Sequence, residues 1–156
     1  MGVSIGTYSS KVVQLRYEAE RAVLETYGEI KNERYFTHPE VSRSGSVIPY
    51  RDQDVAELLT DLVRESNVTA SQAICTIPVT AAFVTAISFP RSLRGEIPQA
   101  VPYEARKYVP IPIAEVVLEW MILEDAEPSD TVEVLLVAVP RDIVEKFRRV
   151  FQAAGI

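Results

Sequence analysis

The sequence predicts an α+β fold in which helices pack on sheets. Two observations carry it. Short apolar runs with strand-like composition are punctuated by Pro, Gly and polar turn residues, and between them the apolar spacing switches to that of a helix. In order the elements read ββ(β)αββαββα, with no internal repeat and no low-complexity tract.

The first pair comes from Gly2 to Leu15, which reads as a strand, a tight turn at Gly6-Thr7 and a second strand. Ala22 to Ile30 is a third strand candidate, and Lys31 to Arg51 is a long polar connection of the kind that tends to carry function. From Asp52, read as an N-cap, Val55, Leu58, Leu59, Leu62 and Val63 recur at helical spacing up to about Ser66. Gln72 to Ile77 and Ala82 to Phe89 are two further β-rich runs, the second closed by Pro90.

Arg94 to Tyr108 places Ile97, Val101, Ala105 and Tyr108 on one helical face. Pro98 and Pro102 interrupt it, because proline removes a backbone donor and clashes with the preceding turn, so a kink or a start near Pro102 is expected. Val109-Pro110-Ile111-Pro112-Ile113 is extended, since each proline pushes its predecessor out of the helical region. Val116 to Leu123 and Thr131 to Val139 read as a hairpin across the acidic turn Glu124 to Asp130. A closing helix from Arg141 carries Ile143, Phe147, Val150, Phe151 and Ala154 on one face, with Gly155 as its stop. An ending at a helix cap reads as a domain of a longer protein.

Composition bounds the function. At 156 residues the chain can bury a core as one domain or two small lobes, and its 47% apolar and 24% charged residues are those of a globular protein. A formal charge of −6 opposes nucleic acid as the main partner, since phosphate backbones select basic faces, although it leaves ATP open. No apolar run is long enough to cross a bilayer and no secretory leader opens the chain, so the reading is cytoplasmic. Cys75 is read as a small buried thiol in an apolar strand, and Asn67-Val68-Thr69 as a chance match to a glycosylation acceptor.

Few residues group as chemistry would need. His38 stands in the polar loop with no cysteine or acid at metal-ligand spacing, so no metal site is expected there. Glu104, Glu115 and Glu119 with Arg106 and Lys107 read as a solvated face, Lys146, Arg148 and Arg149 as cations complementing a helix dipole, and Trp120 as a core anchor. Ser9 and Ser10 have no histidine or acid in a nucleophile motif, so no catalytic residue is assigned. The Gly6-Thr7 turn admits two readings. It is a plain hairpin, or it is a phosphate clasp in which backbone N–H groups at Gly6, Thr7 and Tyr8 and the Lys11 ammonium meet an anion.

The hairpin resembles the one that opens actin-type ATPases, roughly D-[IL]-G-[TS]-x-x-[IVS]-K, with Ser4 where that pattern has its metal-orienting aspartate. A neutral hydroxyl supplies neither the charge nor the hard ligand that magnesium prefers. Further along, Val101-Pro102-Tyr103-Glu104-Ala105-Arg106-Lys107-Tyr108-Val109-Pro110-Ile111-Pro112-Ile113-Ala114-Glu115-Val116-Val117-Leu118-Glu119-Trp120 resembles the central run of the type IV pilus assembly protein PilM family, E-A-E-K-Y-[IV]-P-[FI]-P-[IL]-x-E-[VA]-x-L-[DE]-[YFW]. The ending Ala153-Ala154-Gly155-Ile156 matches the same family's A-G-[IL], so the resemblance covers nearly the whole chain.

The resemblance implies a partial actin-like, ribonuclease-H-like lobe over residues 1–77, followed by a small strand-helix-strand-strand subdomain and closing helix over 78–156. It implies a cytoplasmic pilus assembly scaffold at the inner membrane, meeting the membrane only through partners: the N-terminal tail of a PilN-like protein, other pilus assembly proteins, and further copies of itself. The extended strip Tyr108, Val109, Pro110, Ile111 and Pro112 is the candidate for that tail, with core packing at a sheet corner as the competing role. The resemblance implies no cofactor in this chain, ATP and magnesium belonging to a longer parent. The alternatives it leaves are an ATP-binding actin-like enzyme, an FtsA-like division scaffold and the related cytoplasmic domain of a type II secretion protein.

Overall fold

The computed structural model describes residues 1–36, 50–123 and 130–156. They form two sheets and three α-helices: β1 (Gly2–Ile5), β2 (Ser9–Glu18), β3 (Arg21–Lys31), α1 (Asp52–Glu65), β4 (Ile74–Thr76), β5 (Phe83–Pro90), α2 (Ile97–Glu104), β6 (Val116–Leu123), β7 (Thr131–Pro140) and α3 (Arg141–Ala153). This is the α+β class that the alternating apolar periods predict. His38 and most of the acidic stretch before Asp130 lie outside the described residues. The chain divides into one unit of Met1–Pro78 with Glu145–Ile156 and a second of Val79–Val144.

The first unit holds a sheet of order β3-β2-β1-β4, antiparallel except where β4 joins β1 in parallel. One face is apolar in strict alternation: Val3 and Ile5 on β1 and Val12 on β2 are buried, as are Val55, Leu58, Leu59 and Leu62 of α1. Each such side chain stabilises the fold by about 1.5–3 kcal/mol relative to exposure. Two polar residues also belong to this face. Ser10 is fully buried, and buried Gln14 donates to Glu25 Oε2 (2.8 Å) and Thr69 Oγ1 (2.9 Å) while its own Oε1 accepts from the backbone N–H groups of Thr69 and Ala70.

β2 and β3 turn over Ala19 and Glu20, both at positive φ, the twist that a two-residue hairpin needs. Gly28 of β3 has a separate reason to be glycine: a Cβ there would overlap Ser66 Oγ and stand 3.0 Å from Ser66 Cβ. α1 begins one residue away from the expected cap. Arg51 is the N-cap and makes no capping bond; instead its guanidinium forks onto buried Asp54 at 2.7 and 2.9 Å. Asp52, the expected cap, is the first helical residue, and its carboxylate meets Arg149 (3.1 Å) and Lys146 (3.4 Å). The helix stops where Asn67 takes φ 53°, with Asn67 N–H donating to Arg64 O and Val68 N–H to Val63 O.

Gly155 closes α3 in the same way at φ 77°, Gly155 N–H donating to Gln152 O and Ile156 N–H to Phe151 O. The cations of α3 act through partners on its length, since none stands in its last turn. Lys146 donates to Tyr50 O at 2.6 Å, Arg148 pairs with Glu145, and Arg149 holds Asp52. Cys75 is half-buried, and burial pushes its thiol up to about 12.

The second unit is a three-stranded antiparallel sheet, β5-β7-β6, with α2 on one face. Ile87 and Phe89 of β5, Val132, Val134 and Leu136 of β7 and Val116 of β6 meet Ile97, Val101 and Ala105, and Trp120 packs half-buried against this core. The prolines act differently from the expected late start. α2 begins at Ile97, Pro98 occupies the first turn where no amide bond is lost, and Pro102 is carried inside. Past Glu104 the chain tightens into a 3-10 turn, and Tyr108, expected on the buried face, is 44% exposed while Val109 takes its place in the core.

Because Ser66 packs where a Gly28 side chain would have to stand, Gly28→Ala is expected to lower stability by about 1–3 kcal/mol in urea unfolding. Gly95→Ala, which meets nothing within 4 Å, stays within about 0.5 kcal/mol of the parent.

Candidate functional site

The opening turn is held from below by one buried side chain. Asn32, in the 3-10 turn that follows β3, donates from Nδ2 to Gly6 O (2.7 Å) and accepts from the Ser10 hydroxyl at Oδ1 (2.9 Å). Its backbone N–H donates to Tyr8 O at 2.9 Å. A single residue thus fastens both sides of the β1–β2 turn to the end of β3. Inside the turn, Gly6 N–H donates to Ser9 O at 3.1 Å, and a Cβ on Gly6 would stand 2.6 Å from that oxygen. Glycine is needed for a close approach, as expected, but the group approached is the chain's own carbonyl.

Beside the turn lies a cleft of about 520 Å³ whose walls include Thr7, Tyr8, Ser9, Asn32, Phe36 and Tyr50. The Phe36 and Tyr50 rings stack at 3.6 Å with 10° between their planes, and Tyr8 is 88% exposed. Glu29, Lys31 and Glu33 supply the charges. The Ser9 hydroxyl donates to Glu29 at 2.6 Å, and that bond, followed by the Lys11 ammonium 3.7 Å away, holds the Glu29 carboxyl below its usual range.

Of the predicted phosphate-clasp residues, Thr7 and Tyr8 face this cleft and Gly6 lies behind it. Lys11, on the same phase of β2 as Ser9, is paired with Glu29 of the cleft wall. Ser4, at the acid's position in the actin-type pattern, accepts from the Thr76 hydroxyl at 3.1 Å across the parallel β1–β4 pair. Of this set, the Gly6 amide and the Lys11 ammonium already have partners within the chain and Ser4 is a neutral hydroxyl, while Glu29 and Glu33 on the wall are carboxylates, the oxygen ligands that magnesium takes.

The strip Tyr108–Pro112 belongs to the second unit and alternates. Val109 is buried in its core and donates its N–H to Ala105 O at 2.9 Å, and Ile111 packs half-buried against the same core. Tyr108, Pro110 and Pro112 face solvent. Nearby, Arg106 lies 5.4 Å from the centroid of the 70% exposed Tyr103 ring, and Lys107 pairs with Glu104 at 2.6 Å as a surface ion pair.

The sequence profile of the family described as type IV pilus assembly protein PilM matches residues 2–156. The chain belongs to the PilM family. Among solved structures, it is similar to the PilM-PilN type IV pilus biogenesis complex at TM-score 0.77 and 21% identity, over 99% of this chain and 44% of that one. It is similar also to the cytoplasmic domain of EpsL, an inner membrane component of the type II secretion system of Vibrio cholerae, at TM-score 0.54 and 12% identity, over 99% of this chain and 52% of that one. No curated protein sequence matches. This PilM-family chain therefore spans less than half of the solved PilM chain and about half of the EpsL domain. At these identities, the structures establish the shared fold. Among the described residues, no helix is long and apolar enough to cross a membrane.

Asn32 and Gln14 were not singled out from the sequence. Gln14 had a signal, being polar on the inward phase of Ser10, Val12 and Gln14. Asn32 had none, because its partners lie 22 and 26 positions away in the chain.

Asn32→Ala leaves the Gly6 carbonyl and the buried Ser10 hydroxyl without their partner, so a loss of about 2–4 kcal/mol is expected in urea unfolding. Faster amide exchange at Gly6 should accompany it. A variant as stable as the parent would show that the turn is held by something else.

Proposed function

We propose that this chain is a non-catalytic module of type IV pilus assembly that binds the N-terminal cytoplasmic tail of a PilN-like inner-membrane protein and so works at the cytoplasmic face of that membrane. The single observation that carries the reading is the family match from residue 2 to residue 156, and a solved relative that is itself a PilM-PilN complex supports the choice of partner. The fitted role is that of a scaffold, because the opening turn spends its amide and its lysine internally.

The outward side chains of the central strip, Tyr108 with Pro110 and Pro112, are the contacts proposed for the tail. Their backbone is fixed by the inward Val109 and Ile111 and by the proline rings themselves. An ordered, proline-stiffened strip loses little entropy on binding, which favours a peptide partner. The exposed tyrosine offers a large amphipathic contact of the kind that dominates such interfaces.

Calorimetric titration of a PilN-type N-terminal peptide into the protein tests this. Saturable one-to-one binding is expected, weakened at least about tenfold, or about 1.4 kcal/mol, by Tyr108→Ala. Absence of heat under conditions where the protein is folded would overturn the tail reading, and undiminished binding by the variant would remove the strip from it.

A further inference from the structure

The second unit segregates its charges. Val116, Leu118, Trp120 and Ile122 of β6 and Val132, Val134 and Leu136 of β7 turn toward the core beneath α2, so the alternate residues Glu119 and Glu133 lie on the far face of the sheet. On the α2 side, residues 91–107 hold four cations, Arg91, Arg94, Arg106 and Lys107, against two carboxylates, Glu96 and Glu104, in a chain of formal charge −6. Glu104 is already paired with Lys107.

Apolar groups stand among these cations. With Ile97, Val101 and Ala105 turned inward, the helical spacing puts Gln99, Pro102, Tyr103 and Arg106 outward, and all four are exposed. The Arg106 guanidinium lies 5.4 Å from the centroid of the Tyr103 ring and pairs with no carboxylate among the described residues. The 3-10 helix Arg91–Glu96 that leads into α2 adds Leu93 and Arg94, both exposed, and Arg94 has no partner among the described residues.

We infer that this outer side of α2 is a contact surface for an anionic lipid bilayer, with Arg94 and Arg106 on headgroup phosphates and Tyr103 and Leu93 at the edge of the acyl region. The chemistry selects that partner. A guanidinium can fork onto phosphate oxygens while one of its faces rests on a ring. Tyrosine, apolar in its body and polar at its tip, is enriched where hydrocarbon meets water. A nucleic acid would demand a longer row of cations, because its affinity comes from the number of phosphates neutralised.

The carboxylates of the far face do not cancel the attraction. A helix about 10–12 Å across separates them from the lipid, more than the roughly 8 Å over which charges are screened at physiological salt. So few cations make a weak contact, one that adds to a tethered partner instead of replacing it. On the tail reading proposed above, the membrane partner is held at Tyr108–Pro112, directly after this segment in the chain, which brings the segment close to the headgroups.

Flotation of the purified chain with phosphatidylglycerol–phosphatidylcholine vesicles tests the inference, near 0.1 M salt, where the screening length is about 10 Å, and near 1 M, where it is about 3 Å. Binding is expected to the anionic vesicles and not to pure phosphatidylcholine, and it should vanish at the higher salt. Arg94→Glu with Arg106→Glu should lower the partition coefficient at least about tenfold, and Tyr103→Ala should lower it as well. The urea midpoint should not move, because these side chains are already in water. Arg21→Glu with Arg34→Glu, the same change of net charge on the exposed surface of the first unit, should retain most of the binding. No binding near 0.1 M salt, equal binding to pure phosphatidylcholine, or an equal loss in this second pair would overturn the inference. The vesicles carry no PilN-type protein, so failure here leaves the tail reading standing, and a failed peptide titration leaves the vesicle result standing.

Discussion

The first unit depends on the buried amide of Asn32. A tight turn between two strands leaves carbonyl and N–H groups pointing in several directions, and a buried polar group without a partner costs more than a hydrogen bond returns. Asn32 answers Gly6 O with its Nδ2, the Ser10 hydroxyl with its Oδ1 and Tyr8 O with its backbone N–H. The end of β3 is thereby fixed against the β1–β2 turn. The cleft beside Thr7 and Tyr8 is a consequence of the same fixation.

This closure also separates likeness of pattern from likeness of chemistry. The Gly-Thr turn has the spacing of an actin-type phosphate loop, but its amide points at Ser9, its lysine at Glu29, and its missing acid is a serine tied to Thr76. The Gly6 amide and the Lys11 ammonium thus have partners within the chain, while Thr7 and Tyr8 face the cleft. The proposed assembly role follows from that difference together with membership of the PilM family.

Much of the architecture was legible because it is local. The apolar stripe of α1, the positions of β6 and β7 and the glycine stop of α3 follow from periodicity and from the φ that Gly155 adopts. The misread details have local physical causes as well. Pro98 stands in a first turn where a proline is harmless, so α2 starts earlier than two prolines imply. The tightening past Glu104 rotates the face, exchanging Tyr108 for Val109. Asp52 follows the N-cap because Arg51 and Asp54 fasten the first turn instead. What the sequence did not disclose is long-range: the Asn32 latch, the Gln14 bonds to residues 69 and 70, and the Ser66 contact that requires Gly28 are all created by the fold.

The claim that the opening turn is closed on itself meets its most direct test in solution, by following the backbone amide resonances of Gly6, Thr7, Tyr8 and Ser9 while magnesium-ATP is added. The account predicts no saturable change at these amides up to millimolar nucleotide. A saturable, magnesium-dependent shift centred on Gly6 and Thr7 would contradict it and return the turn to phosphate binding.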